Sequence, residues 1–162
     1  MYRWLVFVHV LAAFVFLLAH GGSASVAFRL RRESERARLA ALLDMSGASQ
    51  GVMYGCLLVL LIAGIVLGFL GGWWRLGWIW ASLALLVVTA IGMYVRASIP
   101  FNRIRQAAGL AYFDGRRAQP ASSPAGDQAL RSAVAAIRPF EVATIGVVPI
   151  ALILWLMMFK PF

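Results

Sequence analysis

Apolar residues run through this chain in four long blocks, Trp4 to Phe28, Gly51 to Leu70, Leu76 to Val95 and Phe140 to Phe159, separated by stretches in which arginine is concentrated. Each block matches the ~20 residues that a helix needs to cross a hydrocarbon layer, so each predicts a transmembrane helix. Only Gly71, Gly72, Trp73, Trp74 and Arg75 lie between the second and third blocks, and so short a link forces an antiparallel hairpin. The pattern predicts an all-α membrane protein, an antiparallel four-transmembrane-helix bundle. Residues 1–162 form one domain, with loops 29–50 and 96–139 on one side of the membrane and both termini outside.

The segments between the blocks carry their own signals. Arg29 to Met45, RLRRESERARLAALLDM, reads as a continuation of the first helix beyond the membrane, with Glu33 and Glu35 offsetting part of its charge. Gly47 and Ser49 are placed to turn the chain into the second span. Pro100 limits continuation of the third helix, and QPASSPAG, from Gln119 to Gly126, is the most linker-like piece of the chain. Asp127 is expected to cap a short amphipathic helix running to Arg138, and Pro139 to mark the break before the fourth span. Pro149, in the middle of that span, is expected to kink it and free a carbonyl.

Composition agrees with the pattern, since a hydrophobic fraction of 62% far exceeds that of a water-soluble domain. The formal charge of +9 would suggest nucleic acid in another context. Here the basic residues sit beside helix ends, with no aromatic-rich binding module, so topology and anionic lipid head groups account for them and no nucleic-acid partner is expected. Twelve arginines fall in the two long loops, whereas the other side has Arg3, Arg75 and Lys160. The positive-inside rule therefore puts the loops in the cytoplasm, and a bacterial inner membrane is the expected location. Trp4, Trp73, Trp74 and Trp78 gather toward the outer ends, where aromatic rings favour the interface. The first block is too long for a cleaved signal peptide, and its basic cluster follows it, where a signal peptide has one in front. It is expected to be retained.

The chain has two histidines, His9 and His20, both in the first span. Eleven residues separate them, so at about 100° each the second ring lies about 20° past three full turns, on the same face and roughly 16 Å along the axis. Ala12, Ala13, Phe16, Ser23, Ala24 and Ala27 lie near that line, while Leu5, Phe7, Leu11, Phe14 and Leu18 mostly fall elsewhere. Small residues beside the rings leave room for a closely packed helix or for a flat macrocycle. An ionisable ring inside a membrane points to a functional site; the plain alternative is a ring hydrogen-bonded to a neighbouring carbonyl or hydroxyl.

Two rings on one face at different depths resemble the arrangement of membrane b-type cytochromes, in which each histidine holds one iron. A bis-histidine site for two haems needs four histidines, so a haem here takes a single His, a His and a Met, or a ligand from a second subunit. By depth, His20 is level with Cys56, Thr89, Met93 and Thr144, and Met93 is its best thioether partner; His9 lies near Met157 and Met158. The same His9, Met157, Met158, His20, Met93 and Cys56 set could relay copper instead. Cys56 is the lone cysteine, so no intrachain disulfide forms, and it reads first as small apolar filling. Glu141, at the start of the fourth span, reads first as neutralising an arginine such as Arg138 or the helix N-terminus, with a proton relay as the alternative. There is no CxxC, CxxCH, GxGxxG, phosphate loop or HExxH, which excludes most soluble enzyme classes and c-type cytochromes, and no catalytic residue is identified.

The opening YRWLVFVHVLAAFVFLLAHGGSASVAFRLRRE, the following RARLAALLDMS and the closing LILWLMMFKPF resemble the bacterial predicted membrane proteins grouped as domain of unknown function 2269. The most specific pieces are HVLxA and HGxS around His9 and His20, and FKP at Phe159 to Pro161. That likeness implies the four-span fold and no activity. More distantly, the first span is similar to four-helix proteins of the copper-resistance D type and of the haem-dependent protoporphyrinogen oxidase type, in which a first-helix histidine matching His9 is implicated in metal or haem binding. This chain lacks their further helical histidines and any mid-membrane lysine. The expectation is a b-type haem protein of membrane electron transfer. The competing expectations are an accessory subunit of a larger membrane complex or homodimer, and a copper or small-solute transporter.

Overall fold

The computed structural model describes the whole chain, Met1–Phe162. Helix α1 (Tyr2–Leu30) covers the first apolar block, and after a turn α2 (Arg36–Gly71) runs for 36 residues. Gly72, in the left-handed region at φ 65°, and a 3-10 turn over Trp73–Arg75 reverse the chain into α3 (Gly77–Met93). A π-helical turn, Tyr94–Ser98, carries it on into α4 (Ile99–Ala108). Strands β1 (Tyr112–Phe113) and β2 (Ala118–Gln119) form a small antiparallel hairpin with Tyr112 opposite Gln119. Helices α5 (Asp127–Ala135) and α6 (Pro139–Phe159) complete the chain. Four helical runs are long and apolar enough to cross a membrane, as the block pattern requires.

The connections depart from expectation in ways that local chemistry explains. The first helix does not continue to Met45. Glu33 turns its carboxylate back on the N–H groups of Ser34 and Glu35, at 2.9 and 3.0 Å, which stops one helix and starts the next. Gly47 and Ser49 make no turn but lie inside α2, because Leu39, Leu43 and Ser46 are buried beyond the apolar block. Packing there overrides the weak helix preference of glycine and serine. Pro100 does not end the run after α3. It sits at the start of α4, and the wider π turn before it accommodates the missing N–H. Asp127 does not cap α5; Gly126 holds the cap position, and the carboxylate reaches Arg36 at 2.6 Å. Helix α6 begins at Pro139 and runs through Pro149 unbroken.

Packing brings α1 against α2 and α6, and α3 against α6. Small residues set the closest approaches: a methyl group added at Gly92 would lie 2.5 Å from Ile145, and one added at Gly22 would lie 3.4 Å from Ser49. Ser23 and Ser46 share a hydrogen bond of 3.3 Å across the α1–α2 seam. Phe7, Leu11, Phe14 and Leu18 face outward, as expected for lipid contact. At the arginine-rich end a cluster including Val26, Leu43, Phe101, Ile104 and Val134 fastens α4 and α5 to the ends of the long helices. At the other end the C-terminus folds back on the start of α3, where the backbone N–H of Trp78 donates to the Phe162 carbonyl.

The β1–β2 turn is organised by Asp114, whose carboxylate accepts the N–H groups of Arg116 and Arg117, both at 2.7 Å, and the Gln119 amide at 2.6 Å. These bonds hold its pKa below the ordinary value of 3.8, the Arg117 and Arg116 amides contributing most. A depressed carboxylate stabilises the folded hairpin above its unfolded pKa and ceases to do so as pH falls through the folded value. Amide hydrogen exchange at Arg116 and Arg117 is therefore expected to stay protected near neutrality and to lose protection, relative to other loop amides, below pH 3.8. Asp114→Ala should abolish that pH dependence.

Candidate functional site

The two histidines share a helix face but have different surroundings. His20 is 2% exposed, its Nε2 donates to the Ala143 carbonyl at 3.1 Å, and its ring stacks on Phe16 with centroids 5.9 Å apart and planes 3° from parallel. A carbonyl can only accept, so Nε2 carries the proton. Gly146, one turn along α6 from Ala143, makes room for the ring: a methyl group there would lie 2.5 Å from Cε1 and Nε2. This is the plain alternative foreseen for a membrane histidine, and it corrects the expectation of free space beside both rings.

His9 is different. It lines a cavity of about 360 Å³ between α1, α2, α3 and α6 at the termini end of the bundle. Val6 and Ala13 flank it on α1, with Gly64 on α2, Trp78 and Ser82 on α3, and Met157 on α6. The walls are apolar almost throughout. Gly64 admits the imidazole edge, since a methyl group in its place would lie 3.3 Å from Cε1. Nδ1 is enclosed and makes no hydrogen bond of good geometry, although the Leu60 backbone lies close to the ring.

The rim of the cavity is aromatic and cationic. Lys160 Nζ stands over the rings of Trp73 and Trp78, 4.7 and 5.7 Å from their centroids. The Trp74 and Trp78 indole N–H groups are enclosed and unpartnered. Ser82 is committed locally, donating to the Trp78 carbonyl at 2.8 Å.

The remaining candidates divide by depth. Met157 and Met158 share the cavity with His9. Met93 is 1% exposed within the apolar cluster of Phe16, Met53 and Ile150. Cys56 is a free, half-buried thiol packed against the same cluster. No three His, Cys, Asp or Glu side chains come together to hold a metal ion. Glu141 pairs with both Arg96 and Arg138, at 2.7 and 2.8 Å, the neutralising role foreseen for it. The contributions of Gly64, Ser82 and Lys160 to the His9 surroundings were not anticipated. The spacing of Gly64 and Gly68 on one face of α2 was the available signal for close approach there.

The tight fit of His20 is testable by a double-mutant cycle. Gly146→Ala forces its methyl group into the imidazole and is expected to destabilise the protein by about 1–3 kcal/mol in detergent unfolding, the usual cost of overpacking. In the His20→Ala background the same change should cost much less. Equal losses in both backgrounds would show that the ring and the glycine are not in contact.

The model of a family described as predicted integral membrane protein, domain of unknown function 2269, matches residues 3–161. Neither a curated protein nor a solved structure matches the chain.

Proposed function

We propose that this chain, which belongs to that family of integral membrane proteins, is a membrane-embedded binding protein. It holds a lipid-soluble small molecule in the cavity at the termini end of its four-helix bundle. The supporting observation is the cavity itself: about 360 Å³ of apolar space between the four helices, partly open to the bundle surface, with one imidazole, His9, on its wall. Protein interiors are normally close-packed, and small-molecule sites are apolar concavities of roughly this size with a few directional polar groups. An apolar ligand would fill the volume, and the His9 imidazole would fix its orientation.

A second reading is the b-type haem foreseen from the sequence, now confined to one site. The His9 imidazole and the thioethers of Met157 and Met158, which line the same cavity, support it, because His and Met together form a recognised axial ligand set. Membrane electron transfer would be the associated activity. His20 has no part in this reading, since its Nε2 is bonded to Ala143. Copper at the same His and Met pair would be its metal-only form.

Purified protein from haem-replete cells separates these readings. An apolar molecule recovered by organic extraction and mass spectrometry from wild type, and depleted about tenfold or more in Ala13→Phe, which fills the cavity, supports the general reading. A Soret band lost in His9→Ala and kept in His20→Ala assigns that molecule as haem, and stoichiometric copper lost in His9→Ala assigns the metal. A cavity that yields no molecule, pigment or metal from wild type, and takes up none when hydrophobic probes are titrated, would reject the proposal.

A further inference from the structure

At the opposite end of the bundle, where the turn after α1 meets α5, four guanidinium groups border one cleft of about 550 Å³. Arg31 and Arg32 come from the turn, Arg36 from the first position of α2, and Arg131 from α5. Two acids share the cleft, Glu33 and Asp127, so four positive charges against two negative leave a formal excess of two. Neither acid makes a salt bridge with Arg32 or Arg131, although Asp127, one turn before Arg131 on α5, attracts it at longer range. Glu33 is spent on the backbone of Ser34 and Glu35, and Asp127 on Arg36.

The four arginines fall into two kinds. Arg31 donates to the Ile137 carbonyl at 3.2 Å, and Arg36 donates to Asp127 at 2.6 Å and to the Ala125 carbonyl at 2.8 Å. These two are fixed in place, and Nη1 of Arg36 is enclosed with no partner at all. Arg32 and Arg131 make no ion pair. The floor between them is apolar, made by Leu39, Leu130 and Val134 of the adjoining buried cluster. Gathering unpaired guanidinium groups beside one another is unfavourable unless an anion joins them, and the planar fork of arginine matches phosphate oxygens two at a time. The cleft also lies immediately beyond Leu30, the last residue of α1, a helix whose 29 residues are enough to cross the ~20-residue hydrocarbon layer.

We propose that this cleft is a phosphate-binding site, in which Arg32 and Arg131 grip the phosphate oxygens while Arg31 and Arg36 form the fixed frame. The site is independent of the His9 cavity. Its phosphate belongs either to the head group of an anionic phospholipid or to a soluble phosphate compound.

The test uses the full chain in nanodiscs and reads the unfolding temperature. In phosphatidylcholine discs at constant ionic strength, stabilisation by inorganic phosphate identifies a soluble ligand. Stabilisation on replacing part of the phosphatidylcholine with phosphatidylglycerol identifies a head group. In the arm that responds, the Arg32→Gln/Arg131→Gln pair is expected to weaken apparent affinity about tenfold or more. Arg103→Gln/Arg116→Gln, which removes equal charge from the same end of the chain, should change it less than about twofold. Unfolding in plain phosphatidylcholine shows that each variant is folded, and Arg32→Gln alone carries the test if the pair is not. Equal weakening by both pairs would mean diffuse attraction and overturn the proposal, as would a wild type that responds to neither phosphate nor phosphatidylglycerol.

Discussion

The hydrogen bond from His20 to the Ala143 carbonyl decides how the first and last spans meet, and through them how the bundle is divided. In hydrocarbon no water is available to satisfy an imidazole N–H. The Ala143 carbonyl supplies the partner, and Gly146 one turn along gives the ring the depth to reach it. Around this contact Phe16, Met53, Met93 and Ile150 pack tightly, and the helices are fixed at mid-membrane. Toward the termini the separation is filled less completely. There the side chains of four helices line the cavity, and the second histidine stands on its wall.

A single contact thus gives two chemically alike rings opposite roles. Periodicity shows that His9 and His20 share a face, and both do turn into the bundle. Periodicity cannot show what stands opposite, because that depends on the register of α6, and the register depends on where a glycine lies. Gly146 opposite His20 brings a backbone carbonyl close; bulky Ile153 and Met157, farther along the same helix, leave His9 with a gap. The sequence signals for the two environments are a single glycine and a methionine, both too common in membrane helices to be read alone.

The spans themselves were legible because each has to satisfy a length and an apolar content that few soluble segments meet. Connections were less so. The boundary between α1 and α2 rests on one carboxylate, Glu33, folding back on two amides inside a run that otherwise favours helix. Gly47 and Ser49 looked like a turn, yet Leu39, Leu43 and Ser46 have partners on α1, and buried contacts outweigh a weak local preference. Pro100 was read as limiting the third helix, yet a π turn before it carries the chain into α4 and a stop was not needed. In each case the local rule held and a tertiary contact chose among its outcomes.

The arginines illustrate the same lesson in electrostatics. Counting them by loop predicts topology, and for most of them a location beside the membrane is sufficient explanation. Some have specific partners: Arg105 with Asp44, Arg96 and Arg138 with Glu141, Arg38 with Glu35. These pairs join α4 to α2, the end of α3 to α6, or one turn of helix to the next, and exposed pairs of this kind contribute little apiece. The cleft between the α1–α2 turn and α5 does not fit that description. Its acids are fewer than its bases, the acid that reaches across is hydrogen-bonded to Arg36, and the walls are held by a buried apolar cluster instead of by charge. A charge excess maintained by packing is what a phosphate-binding surface requires, whereas the same arginines spread along a mobile loop would only set the direction of insertion.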